Sequence, residues 1–190
     1  MNKSTMIASG VLAILLVAGF WYIDQGEKKP AAATSTAPAL VDYTDAEYGL
    51  AFAYPESYLL TQEDDASASQ WALHYISLMR KVDLPPPVNG EGPPSISVAF
   101  FTNKLDKKTL VQWLKTDTLH SNFNTSNGTY ASTTVDGREA ITYKWSGLYE
   151  GVTTAFLYKD TVVSVTVEYL TPGDEIVDAY KKVLDSVQLP

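Results

Sequence analysis

The sequence predicts an α+β domain: an antiparallel sheet of six or seven strands with helices packed on its faces, preceded by one transmembrane helix. Three observations carry this expectation. Met6 to Ile23 is an 18-residue stretch without a charge. From Gly49 to Leu170 the chain breaks into short segments of alternating apolar and polar residues, separated by Gly, Pro, Asn-Gly and Asp-Gly, which is strand and turn patterning. The chain then closes on apolar residues at helical spacing, Ile176, Val177, Tyr180, Val183, Leu184 and Val187.

At 1.5 Å per residue, the first run reaches about 27 Å, close to one hydrocarbon core. Trp21 and Tyr22 end it as interfacial anchors do. The small-x-small sites Ala31-Ala32-Ala33 and Ala37-Pro38-Ala39 lie beyond Asp24, Glu27, Lys28 and Lys29, too far downstream for a signal-peptide cleavage site. Residues 1–23 therefore read as an uncleaved signal anchor. Two downstream lysines favour the opposite orientation. The short tail ahead of a first apolar segment nevertheless places the rest of the chain outside the cytoplasm, on a bacterial cell membrane. Residues 24–42, rich in Ala, Thr, Ser and Pro, read as a flexible linker. The expected domain is 43–190, which folds alone.

Within it, Leu50, Phe52 and Tyr54 share one face of a first strand that stops at Pro55, and 57–61 forms a second. Residues 62–69 are an acidic loop. Gln70 to Arg80 has two apolar faces, Trp71, Leu73, Tyr75 and Met79 against Ala72, His74, Ile76 and Leu78, so its sheet needs cover on both sides. Val82 to Pro94 holds five prolines and two glycines and must be a loop. Ile96, Val98 and Phe100 then point inward from the next strand. Asp106 caps a helix over 107–116. Strands near 129–135, 138–146, 152–158 and 161–169 form a meander, and Thr171-Pro172-Gly173-Asp174 opens the last helix as a capping box.

The phrases Tyr48-Gly49-Leu50-Ala51-Phe52-Ala53-Tyr54-Pro55, Val135-Asp136-Gly137-Arg138-Glu139-Ala140 and Val183-Leu184-Asp185-Ser186-Val187 resemble the PsbP-like (PsbP/Mog1/DcrB) α-β-α sandwich domains over most of 43–190. The resemblance implies a small, usually non-catalytic module, and it transfers no functional residue to this chain.

The chemistry in the sequence is sparse. There is no cysteine, which excludes disulfides, thiol nucleophiles and Cys-based metal sites. His74 and His120 are the two histidines. The first sits in an apolar strand as a hydrogen-bonded core residue, and the second ends a helix in solvent. No G-x-S-x-G, phosphate-binding loop or dinucleotide turn occurs. Glu63-Asp64-Asp65 lacks calcium-loop spacing. The domain's 19 acidic against 11 basic residues repel nucleic acid. No catalytic residue, metal or cofactor is expected. The expected function is a membrane-tethered, non-catalytic interaction module, held in the membrane through 6–23, that engages a protein partner of unknown identity. An extracytoplasmic hydrolase with a scattered site is the alternative. The partner contact is expected on Pro85, Pro86, Pro87, Pro93 and Pro94, in a loop longer than the usual connection of about 4–6 residues.

Overall fold

In a computed structural model, residues 38–64, 72–88, 91–102, 109–116 and 121–190 are described, and Pro38–Pro190 is one compact unit. The apolar run 6–23, Trp71, Asp65, Asp106 and His120 lie outside the described residues. Among the described residues no helix is long and apolar enough to cross a membrane.

The alternation resolves into strands β1 (Leu40–Thr44), β2 (Ala51–Pro55), β3 (Tyr58–Asp64), β4 (His74–Arg80), β5 (Ser95–Thr102), β6 (Ala131–Val135), β7 (Arg138–Ser146), β8 (Glu150–Tyr158) and β9 (Thr161–Tyr169), with helices α1 (Leu110–Thr116) and α2 (Glu175–Asp185). Seven strands make one antiparallel sheet in the order β3-β4-β5-β9-β8-β7-β6, and β1 pairs with β2 as a separate ribbon. The meander expected from Asn-Gly and Asp-Gly turns is present, and at its first hairpin Asp136 and Gly137 both take positive φ, as a two-residue turn requires.

Both faces of the large sheet are covered. Ile76, Leu78, Ile96, Val98, Phe100, Val163, Val165 and Val167 form one buried layer with Ile176, Ala179, Tyr180 and Val183 of α2 and with Leu50 and Phe52. Ala99, Phe101, Ala155, Val162, Tyr143 and Trp145 form the other with Trp113 and Leu114 of α1 and Phe123. The two layers and the sheet between them make an α-β-α sandwich. Burial of the phenol pushes Tyr180 up to about 12, and its hydroxyl meets Thr154 Oγ1 at 2.7 Å.

Several boundaries differ from expectation. Gln62, Glu63 and Asp64, read as the start of the acidic loop, extend β3, where main-chain pairing to Ile76, Tyr75 and His74 holds them despite their polarity, and β4 begins at His74 rather than Gln70. Residues 40–42, read as the end of the linker, belong to β1, where register pairs Leu40 with Pro55. Main-chain pairing holds them while Leu40 and Val41 stay exposed, so hydropathy gives no sign of the strand. The described part of α1 begins at Leu110, and Thr109 supplies its cap: Gln112 N donates to Thr109 Oγ1 and Thr109 N donates to Gln112 Oε1, a reciprocal capping box. The cap of α2 is Asp174 rather than Thr171, because Asp174 Oδ1 accepts from Ile176 N while Asp174 N closes a turn onto Thr171 O.

Candidate interaction surface

Register sends three connections to one end of the large sheet, termed the upper end: 81–94 between β4 and β5, 147–149 between β7 and β8, and 170–174 between β9 and α2. Each presents aliphatic side chains to solvent. Val82 is 87% exposed, Val88 96%, Leu148 64% and Leu170 63%. Single exposed aliphatics are ordinary, whereas several on one end of a small domain make that end a candidate contact surface.

The loop is tied down on both flanks. On one, Arg80 Nε donates to Asp83 Oδ2 at 2.6 Å and Nη1 to Asp174 Oδ1 at 3.3 Å, and the Asp83 hydrogen bond raises the Arg80 pKa. On the other, Tyr149 OH donates to Gly92 O at 2.5 Å. Between these ties Pro85, Pro86 and Pro87 are exposed next to Val88, whereas Pro93 is half-buried and Pro94 buried. Of the five prolines singled out by composition, three are presented outward and Pro94 serves the fold at the start of β5.

A second polar feature lies on the face that α1 covers. The seven described residues of α1 reach about 10 Å, whereas a nine-residue strand runs about 30 Å, so these residues cover only part of that face. Its upper half carries Ser95, Ser97, Thr166 and Glu168, all half-buried, with Ser97 opposite Thr166 by register. Burial raises the Glu168 carboxyl above its ordinary value. The fold thus favours the protonated form, and the stability associated with it is present below the ordinary carboxylate range and lost as pH rises through the raised value. Glu168→Gln should therefore be more stable than the native chain at pH 7 and equal to it below about pH 4. Urea midpoints at the two pH values check this, and a lower midpoint at pH 7 would contradict it.

His74 meets a carboxylate that also accepts from a tyrosine hydroxyl, but in the core. Its Nε2 lies 2.8 Å from Asp45 Oδ2, and its ring stacks on Tyr48 with centroids 5.2 Å apart. Asp45 Oδ1 accepts from Glu47 N and Tyr48 N, and Oδ2 accepts from Tyr43 OH. Such a set can orient a base, provided substrate reaches it. His74 is 3% exposed and Asp45 6%. Neither lines the two open spaces described, a cleft of about 440 Å³ beside β7 and a groove of about 560 Å³ beside α1. Among the described residues, no three His, Asp or Glu groups gather as a metal site. Glu63 and Asp64 sit at the end of β3.

Sequence reasoning missed Asp45, Tyr149, Glu168, Val88, Leu148 and Leu170. Asp45 had one readable signal: an Asp two and three residues ahead of Glu47 and Tyr48, the spacing of a side chain that caps its own turn.

No family model matches the chain, and no curated protein matches it in sequence. Among solved structures it is similar to cyanobacterial PsbP (CyanoP) from Synechocystis sp. PCC 6803, with a TM-score of 0.53 and 15% identity, covering 86% of this chain and 100% of that one. It is also similar to PA94 from Pseudomonas aeruginosa, a protein of unknown function, with a TM-score of 0.40 and 11% identity over 80% of this chain and 96% of that one. The first likeness shows the fold to be PsbP-like.

Proposed function

We propose that this chain is a non-catalytic binding module, tethered to a bacterial cell membrane through 6–23 with its PsbP-like domain outside the cytoplasm, which engages a protein partner through the upper end of its sheet. The observation that carries the reading is the gathering of Val82, Val88, Leu148 and Leu170 with Pro85–Pro87 on that end. A loop fixed at Arg80 and Tyr149 and stiffened by proline loses little further freedom on binding. The apolar run without a nearby cleavage site supports the tether.

A hydrolase built on His74 would need substrate at a residue the core encloses, and His120, the other histidine that the alternative names, lies outside the described residues. Replacing residues 85–88 by Gly and Ser, with Pro94 kept, should leave the unfolding midpoint within about 2 °C, since exposed positions away from special features shift stability by less than about 0.5 kcal/mol. The same change should remove the partner captured by crosslinking in cells. Capture that survives the replacement would refute the reading.

A further inference from the structure

We infer that the upper half of β7 is a docking edge for an extended segment of a partner protein, one with an acidic residue flanked by apolar residues. This rests on the chain being a binding module, but not on the upper-end loop.

The sheet ends at β6, and β6 is too short to cover β7. Ala131 pairs with Thr142, and no residue of β6 lies opposite 143–146. In the hairpin around Asp136-Gly137, Val135 and Arg138 are the first bonded pair, so Ala140 and Thr142 also bond toward β6 and the odd-numbered residues bond toward β8. Gly147 N donating to Tyr149 O continues the odd-numbered pattern at the β7–β8 turn. The N–H and C=O groups of Lys144 and Ser146 therefore point out of the vacated edge, and no turn or loop hydrogen bond among the described residues reaches them.

A cleft of about 440 Å³ lies along this edge, and its wall includes Thr142, Tyr143, Lys144, Trp145 and Ser146 in unbroken succession. Side chains of a strand alternate between faces. An opening that touches five in a row runs beside the backbone rather than over one face. Its far wall includes Tyr130, which is exposed. Backbone groups spaced along such an edge are met by another extended backbone, the geometry of strand addition.

The side chains state which segment fits. A residue placed opposite Lys144 shares its face at about 5 Å, and Lys144 is exposed and makes no ion pair among the described residues. An acidic residue suits that position. Its two neighbours point to the other face, beside Tyr143, Trp145 and Tyr130, where apolar or aromatic groups suit. The domain's excess of acidic residues makes Lys144 the local exception that sets this preference.

The test uses the full chain in detergent and the fluorophore-labelled pentapeptide Thr-Phe-Glu-Phe-Thr, read by anisotropy. Saturable binding is expected. It should weaken roughly three- to tenfold when the central Glu is replaced by Lys, and at least roughly fivefold when the peptide's edge-facing amides are N-methylated. In Lys144→Glu the preference between the two peptides should reverse, and thermal melting checks that this exposed variant stays folded. No saturable binding up to about 1 mM would overturn the inference, as would binding indifferent to both N-methylation and the charge at 144. Self-association of the native chain through this edge, abolished in Lys144→Pro, would overturn it in favour of a second copy. Peptide binding that persists after the 85–88 replacement has removed the captured partner leaves this edge standing. Capture through the loop without peptide binding removes it alone.

Discussion

Gly151→Ala should lower the domain's thermal midpoint by about 10 °C. Gly151 of β8 lies directly opposite Trp145 of β7, and a methyl group added there would fall within the indole ring. The ring has little room to yield. It is buried among the side chains covered by α1, and its Nε1 donates to Thr153 Oγ1 at 3.0 Å, which in turn meets Thr166 Oγ1 at 3.0 Å. Displacing it combines overpacking of about 1–3 kcal/mol with a lost hydrogen bond of about 1 kcal/mol. Domains of this size shift by about 2–4 °C per kcal/mol. Trp145→Phe, with a smaller ring and no N–H, should be milder and should absorb most of the Gly151→Ala effect in the double variant, because the two changes act on one contact. A neutral Gly151→Ala would mean that the indole does not lie on β8.

Asp45→Ala should destabilise the domain by about 3–5 kcal/mol, since it removes the one carboxylate that two main-chain N–H groups, the Tyr43 hydroxyl and the His74 imidazole share, each such contact contributing about 1 kcal/mol. Asp45→Asn keeps an oxygen for the Glu47 and Tyr48 amides and should lose only about 1–2 kcal/mol. Urea unfolding of the two variants separates the outcomes. Equal losses would mean that the turn at 45–48 contributes little, and that the contact with His74 carries the whole effect. A pair with this structural role is held by the fold for packing and polar satisfaction.

How far the sequence could be read follows from what holds each element. β7, β9 and α2 were legible because alternation, the Asp136-Gly137 turn and helical spacing each announce a local rule that tertiary structure then obeys. β1 was not, because main-chain pairing to β2 holds Leu40–Thr44 and its side chains bury little. His74 was legible as a core residue from its apolar strand. Its partner Asp45 comes from a turn far earlier in the chain, and no periodicity links the two. The prolines stood out by composition, yet composition could not separate exposed Pro85–Pro87 from buried Pro94. Val88, Leu148 and Leu170 look unremarkable in their own segments. Strand order and register bring them to the same end of the sheet, at the ends of β4, β9 and β7. Glu168 occupies an ordinary polar position of an alternating strand, and nothing in that alternation marks it as half-buried.

The central claim is that the upper end meets a protein partner. It is tested most directly by placing a photoreactive residue at Val88 and, separately, at Asp160 in the β8–β9 turn on the opposite end, then comparing crosslinks in intact cells. A discrete partner band from position 88, absent from position 160, is the predicted result. Crosslinks from position 160 alone, or from neither position, would contradict it.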